Sequence, residues 1–553
     1  MSNAKGSKVM KRSNKNSGVQ KLVVIGLDGA TWNVILPLVR ENRLLTFRKL
    51  MENGVHGVLK STIPPVTGAS WVSFSSGKNP GKTGIFDFLI RMNGEYVLRP
   101  LNSSDFRGIA FWDLLSNNRI KVGIFNFPML YPPYKVNGFM ISGVGASKHD
   151  NITYPPQLQR EIEDVAGGYE IIVRYHDKKY DDVDLFLKDV SRVLDKQVKV
   201  MLYLMQKKEW NVFIAVISCT DWIQHLMWKY YDENHPLYDE EEAKRYKSKF
   251  IDFWVKIDNI MEKVIKTAGR NTNLFVVSDH GFGPQCGCFN LAKWLEIKGY
   301  LKIHKPKTLK LKRGLRLLLS GLRKTFLRKI LTQKLRRKVR ASFIDITAEI
   351  DFSNSRAYVL GHTIPFGAIY LNVKGRDSKG IVNKGPEYEA LKNEIITLLT
   401  NLGKDIGINI RVNVFDPQKT YRGKYTDVAP DIIFTINNWE CVILNDFHAD
   451  FLYKNEPYSN RHTGSHRMEG IFLAYGPDIK KGVEIKNLQI YDIAPTILYM
   501  FDIPIPSDID GKILKEMFKE ESKLAKKKVK YEKICKKEKI KRKIKELKLK
   551  NKL

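Results

Sequence analysis

A doubly wound, mainly parallel α/β sheet is the fold class that the sequence predicts. Three buried-strand patterns predict it: Leu22-Val23-Val24-Ile25-Gly26-Leu27, Asn211-Val212-Phe213-Ile214-Ala215-Val216-Ile217-Ser218 and Leu274-Phe275-Val276-Val277-Ser278. Each is a short apolar, β-branched run, and helical patterns separate them, which argues for parallel strands joined by crossovers. Open sheets of this class keep their chemistry at the carboxyl ends of strands. All three runs end there in groups that can bind ions: Asp28, then Asp221 with His225, then Asp279 with His280.

The chain has 553 residues, 43% of them hydrophobic and 11% aromatic, enough for a large core and more than one domain or one domain with insertions. A formal net charge of +34 invites a nucleic-acid reading, but no nucleic-acid motif accompanies it, and the charge is concentrated in appendages. Residues 1–21, 302–340 and 523–553 contribute +6, +16 and +13, so the remaining body is close to neutral. Five cysteines, including the closely spaced Cys286-Gly287-Cys288, lack the spacing of a zinc site and read as reduced thiols. The N-terminus has no apolar signal core, and no uncharged run reaches the ~18–20 residues of a membrane span. The expectation is a soluble cytoplasmic body, peripheral at the inner face of a membrane if the basic segment adsorbs there.

Taken in order, residues 1–20 read as a disordered basic arm, and 21–300 as the first part of the core with a cap insertion at about 100–200. Residues 301–345 read as a basic helical insertion, 346–440 as a smaller α+β subdomain, 441–515 as completion of the core and 516–553 as a Lys-rich tail. Asp28 closes the first strand as either a ligand or the N-cap of a helix near Thr31. Pro64-Pro65 forces an extended approach, leaving Thr67 at the start of a helix as an N-cap or a nucleophile. Asp221 and His225, four apart, share a face if the chain is helical there, a natural half-site for a metal such as zinc. Asp279 and His280 converge only if the strand ends before them, and Gly281 and Gly283 are read as permitting the turn. His466 lies in a Gly/Ser loop ahead of the strand 470–476. From 302 to 340, Leu315, Leu319, Leu322, Phe326 and Ile330 recur at helical spacing among cations, fitting either an anionic membrane surface or a helical cap packed on the body.

In order and context, Asp28, Thr67, Asp221, His225, Asp279, His280 and His466 resemble the alkaline phosphatase superfamily, in particular its type I phosphodiesterase/nucleotide pyrophosphatase branch. The resemblance rests on Val23-Val24-Ile25-Gly26-Leu27-Asp28-Gly29, Pro64-Pro65-Val66-Thr67-Gly68-Ala69-Ser70-Trp71, Gly77-Lys78-Asn79-Pro80-Gly81 with Gly84-Ile85-Phe86-Asp87-Phe88, Ser278-Asp279-His280-Gly281, and His466 before Gly470-Ile471-Phe472. It spans about residues 22 to 510. It implies an alkaline phosphatase-like core and two divalent ions, zinc first, with manganese or iron as alternatives. Asp28, Thr67, Asp279 and His280 would hold one ion, and Asp221, His225 and His466 the other. Thr67 would be the nucleophile attacking a phosphate ester, forming a phospho-threonine intermediate.

The chain departs from that pattern in places. Thr83 stands where relatives commonly carry His, and the Asn that contacts a phosphoryl oxygen in some nucleotide pyrophosphatases is replaced near Asp87 and Phe88. His462 competes with His466, which is favoured by its place before the strand, and Ser70 is the nearby substitute for Thr67. The Cys/Ser-x-Pro-x-Arg motif of sulfatases is absent. The leading expectation is a metal-dependent phosphohydrolase acting on phosphodiesters or phosphomonoesters. Alternatives are phospho-group transfer to a lipid or glycan at a membrane, or a nucleic-acid- or membrane-binding protein with a degenerate catalytic body.

Overall fold

The computed structural model describes residues 20–92, 94–146, 150–304, 349–361 and 363–532. Most of the expected basic insertion, the far part of the tail and nearly all of the N-terminal arm therefore lie outside the described residues.

The central sheet is built from β1 (Lys21–Leu27), β2 (Val55–Lys60), β3 (Val122–Phe127), β4 (Gly138–Ser142), β5 (Thr153–Tyr154), β6 (Val212–Ile217) and β7 (Thr272–Val277). After the two-stranded ribbon of β8 (Gly281–Pro284) and β9 (Gly464–Arg467), β10 (Glu469–Tyr475), β11 (Val483–Glu484) and β12 (Leu488–Gln489) complete it. The strand order is β11-β2-β10-β7-β1-β6-β3-β4-β5, with β12 also on β2. Strands β7, β1, β6, β3 and β4 run parallel, while β10 is antiparallel to both β2 and β7.

The pleat sorts the apolar runs onto two faces. Val23, Ile25 and Leu27 face one core, and Leu22 and Val24 the other; β6 and β7 alternate in the same way. Strands buried on both sides read as continuous apolar runs, which is why these three were legible. The first face is covered by α1 (Trp32–Arg40), α4 (Val183–Lys207), α5 (Cys219–Tyr231) and α6 (Glu240–Ala268). The second is covered by α3 (Thr67–Ser76), the short helix Phe111–Asn117 and α7 (Ile493–Met500). Helices on both faces of a mainly parallel sheet are the doubly wound arrangement the sequence predicts.

The expected cap at about 100–200 is not a separate insertion. Residues 122–142 supply β3 and β4 of the central sheet, and α4 packs on its face. These strands were hidden because Gly123 and Asn126 interrupt the apolar run. Gly123 leaves room for the Phe139 ring, and the Asn126 side chain donates to the Val216 carbonyl at 2.9 Å. The boundary at 441 also moves, because Cys441–Leu444 pairs with Gly287–Asn290 in a satellite four-stranded sheet. A second four-stranded sheet, Ala357–Tyr358, Gly367–Leu371, Ile432–Ile436 and Val412–Phe415, packs with the helix Pro386–Thr400 around a third core. No helix among the described residues is long and apolar enough to cross a membrane.

The helix α2 (Leu45–Glu52) has Leu44 at its N-cap and no cap of its own. Asp258 of α6, itself buried, supplies one from a distance, accepting from the backbone of Thr46 at 3.0 Å and of Phe47 at 2.9 Å. Its carboxylate meets both orphan N–H groups and the positive end of the helix dipole. Asp258→Ala is expected to lower unfolding free energy by about 2–3 kcal/mol, read as a shift of the urea midpoint, with Asp258→Asn losing less.

Candidate active site

The carboxyl ends of β1, β6 and β7 converge where the sequence places its ion-binding groups. The first strand runs to Leu27 and Asp28 follows it; Gly29 then takes a φ of +67°, a backbone conformation that favours glycine. Asp28 does not cap α1, whose N-cap is Thr31, accepting from the Asn33 N–H. Residues 219–231 are helical, so Asp221 and His225 do share a face of α5, with His225 Nε2 3.3 Å from Asp221 Oδ1. The strand β7 ends at Val277, and Asp279 and His280 both turn into the site. His466 reaches it from β9, opposite Phe282 in the ribbon register.

Thr67 is the first residue of α3, and the N-cap is Val66. Its hydroxyl is therefore not spent on capping and lies 3.2 Å from His280 Nε2. Ser70 is fully buried, with its Oγ 2.8 Å from Ser61 Oγ and 3.0 Å from Thr62 Oγ1, which ties it into the scaffold.

The groups fall into two touching sets. In one, His280 Nε2 lies 3.6 Å from Asp28 Oδ1 and 3.4 Å from Asp279 Oδ2. In the other, His466 Nε2 lies 3.4 Å from Asp221 Oδ1 and 3.2 Å from His225 Nε2. The His280 and His466 rings stack with centroids 3.7 Å apart, so His280 stands close enough to Asp221 to belong to either set. All seven residues are buried. His462 stays outside both sets: its Nδ1 faces Gln285 Oε1 at 3.0 Å, and its ring lies beside His225 with centroids 4.5 Å apart.

The donor atoms of this cluster are arranged to hold a cation. His225, His280 and His466 each direct Nδ1 at a backbone carbonyl, of Gly464 at 2.9 Å, Gly281 at 3.0 Å and Pro65 at 3.0 Å. A carbonyl only accepts, so Nδ1 carries a proton and Nε2 is the ring atom turned to the site. The Nε2 atoms of His225 and His466 face each other at 3.2 Å, a contact that needs a positive charge, a proton or a metal ion, between them. Asp28 Oδ1, Asp221 Oδ1 and Asp279 Oδ2 are buried without hydrogen-bond partners. Burial, reinforced by Asp279 and Asp221, pushes the Asp28 carboxyl well above its ordinary range, and burial pushes Asp279 up to about 7. Burial would also raise Asp221, but His225 and His466 hold it well below the ordinary range. Burial and the neighbouring His466 hold the His280 imidazole far below its usual range. Carboxylate oxygens and imidazole nitrogens without thiolates are a donor set that fits zinc, manganese or iron.

Phe282 is the positioning residue that motif reasoning passed over. Its fully buried ring meets His225 edge-on at 4.8 Å and lies 5.6 Å from His466. Its place directly after Asp279-His280-Gly281 was the available signal. Gly281 and Gly283 are needed for space, not for a left-handed turn, since neither has a positive φ. A Cβ on Gly281 would lie 2.0 Å from the Glu469 carbonyl oxygen, and one on Gly283 would lie 2.7 Å from the Arg467 guanidinium. Because the obstacle at Gly281 is backbone, Gly281→Ala must move β10 or the Asp279-His280 turn. It is expected to cost roughly 1–3 kcal/mol in chemical denaturation and to weaken metal retention measured on the purified protein.

The type I phosphodiesterase / nucleotide pyrophosphatase family matches residues 22–467. The match runs from β1 through β9 and includes every residue of both sets. No curated protein matches in sequence. Among solved structures, the chain is similar to an inactive variant of murine ectonucleotide pyrophosphatase / phosphodiesterase 5 in complex with AMP, at 14% identity over 90% of this chain and 100% of that one, with a TM-score of 0.47. The human protein of the same name is similar at 13% identity, with the same coverage and TM-score. On the family match, the chain belongs to the type I phosphodiesterase / nucleotide pyrophosphatase family of metal-dependent phosphoric ester hydrolases.

Proposed function

We propose that the protein hydrolyses phosphodiesters by double displacement, with Thr67 as nucleophile. The observation that carries this reading is Thr67 itself: an uncapped hydroxyl at the first position of α3, 3.2 Å from His280 Nε2, opening on the same cavity as Asp28, Asp221, His225 and His466. Asp28, Thr67, Asp279 and His280 would hold one divalent ion and Asp221, His225 and His466 a second, zinc before manganese or iron. Such ions when bound stabilise charge on the phosphoryl oxygens and lower the pKa of a hydroxyl or water.

The remaining work falls to the chain. The first turn of α3 aims Thr67 Oγ1 along a fixed direction, and the positive end of the helix favours negative charge growing on that oxygen. Attack forms the Oγ1–P bond and breaks the bond from phosphorus to one ester oxygen, so that an alcohol leaves. Water then breaks the Oγ1–P bond, restoring the threonine hydroxyl and releasing a phosphate monoester. The hydrogen bonds of His225, His280 and His466 to backbone carbonyls keep their Nε2 atoms facing the reacting group throughout.

Two measurements test this reading. With bis-p-nitrophenyl phosphate and metal content determined alongside, Thr67→Ala is expected to lose at least ~10³-fold in kcat per metal-loaded molecule, while Thr67→Ser keeps a measurable fraction. Full activity in the alanine variant would exclude Thr67 as nucleophile.

Chelation should expose the strain among the carboxylates. A carboxyl raised by burial stabilises the fold while protonated and loses that contribution as pH climbs from the unfolded value of 3.8 toward about 7. The Tm difference between metal-loaded and chelated protein is therefore expected to widen from pH 5 to pH 7. A difference that is constant across this range would contradict the assignment of Asp279 to an ion.

A further inference from the structure

We infer that Tyr175 is a catalytic residue that donates a hydrogen bond to the departing ester oxygen. This rests on the hydrolytic reading and adds a residue to its first step. Tyr175 lines the same cavity as Thr67. Its ring lies parallel to that of His225, with centroids 4.7 Å apart and planes 10° apart, and it also meets the His176 ring at 3.8 Å. The segment that carries it is tied to the core. The buried Gln197 side chain of α4 donates to the Glu170 and Ile171 carbonyls at 3.0 and 3.2 Å, Val173 is buried, and the Tyr175 N–H donates to the Val173 carbonyl at 3.1 Å. A phenol delivered in this way is in place before substrate arrives.

The ring is committed to its neighbours, but the hydroxyl makes no hydrogen bond among the described residues, and the side chain is partly exposed. The wall holds two more uncommitted hydroxyls, Ser218 and Ser465, yet both residues are 1% exposed and their oxygens are closed off. Tyr458, 53% exposed, stands mostly in water. Besides Thr67, Tyr175 is thus the wall hydroxyl that lies beside a ligand set and is also open to a bound group. Burial, with the charges of Asp221 and Asp28, holds its phenol well above the ordinary range, so it serves as a donor at neutral pH.

The direction of displacement fixes what the phenol meets. At phosphorus the entering and departing oxygens stand roughly in line. Thr67 Oγ1 enters beside His280, 3.2 Å from its Nε2, whereas Tyr175 lies on His225 of the other set. The oxygen opposite Thr67 is therefore the one turned toward the phenol. As the Oγ1–P bond forms, the bond from phosphorus to that oxygen breaks and the electron pair leaves with the oxygen. The Tyr175 O–H offsets the charge growing there and keeps its own proton. The proton lost by Thr67 reaches the departing alcohol through solvent.

The test is the dependence on the leaving group. Methyl p-nitrophenyl, methyl p-chlorophenyl and methyl phenyl phosphate are compared as substrates of metal-loaded full-length wild type and Tyr175→Phe, with metal content determined alongside. The phenyl ring keeps the stack on His225, so metal content is expected to be unchanged. A p-nitrophenolate spreads its charge over ring and nitro group and gains least from a donor, whereas a phenolate concentrates charge on the oxygen. The loss of kcat/KM caused by Tyr175→Phe is expected to grow at least ~tenfold from the p-nitrophenyl to the phenyl ester. A loss equal for all three esters, which would reduce Tyr175 to a support for His225, or no loss at all, would overturn the proposal.

Binding of orthovanadate by calorimetry separates this inference from the hydrolytic one. Its five-coordinate adducts carry an apical oxygen where the departing oxygen would stand. Vanadate bound at least ~tenfold more weakly by Tyr175→Phe at equal metal content, while no ester turns over, would sustain the donor and refute the hydrolysis. Turnover with a uniform loss and unchanged vanadate affinity would do the reverse.

Discussion

Three buried carboxylates and three imidazoles turned toward one another are the constraint on which the rest of this structure depends. Asp221 is offset by His225 and His466, but Asp28 and Asp279 face each other in a buried position that disfavours two negative charges unless a cation joins them. The fold holds it because four of the six members are anchored outside the cluster. Asp279 accepts from the Gly29 N–H at 3.2 Å, and the three histidines are fixed through Nδ1 to backbone carbonyls. All but His466, which comes from the β8–β9 ribbon, follow the ends of β1, β6 and β7 in the middle of a sheet buried on both faces. The cost of assembling the site is thus met by the core around it, and its preference for a cation is built in before any substrate arrives.

The same dependence explains what was legible in the amino-acid sequence. Strands buried on both faces must be continuous apolar runs, so β1, β6 and β7 stand out, and a carboxylate at the end of such a run is visible against them. Asp221 and His225 could be paired because helical spacing is itself a geometric statement. His466 could be preferred to His462 only through its place before β10; in the fold its Nε2 lies 3.4 Å from Asp221 and 3.2 Å from His225. The strands β3 and β4 were not legible, because Gly123 and Asn126 serve neighbours far away in sequence, a ring and a carbonyl, and break the local pattern in doing so.

Glycines illustrate how the right residue can be noticed for the wrong reason. In Asp279-His280-Gly281-Phe282-Gly283 the glycines suggest a turn. Their backbone is ordinary, and they are there because β8 runs hard against Glu469 and Arg467. Close approach and left-handed conformation leave the same letter in a sequence, and only tertiary contacts separate them. Gly29 is the opposite case, since its positive φ turns the chain after Asp28 while Phe282 fills the space a side chain would need.

Pro64-Pro65 joins Thr67 to the far side of the site. A proline has no N–H to satisfy, so two in succession can cross buried space while leaving their carbonyls free to accept. The Pro64 carbonyl accepts from Thr62 Oγ1 at 2.7 Å, and Thr62 is in turn linked through Ser70 to Ser61, which donates to the Asp279 carbonyl at 2.6 Å. The Pro65 carbonyl accepts from His466 Nδ1. The two residues before Thr67 therefore orient a histidine of one set, while hydroxyls on either side tie the same turn to the backbone of Asp279 in the other. A displacement of α3 cannot move Thr67 alone, because the segment that delivers the hydroxyl also holds His466 and Asp279. Ser61, Thr62 and Ser70 carry out this coupling, and it leaves the Thr67 hydroxyl facing His280.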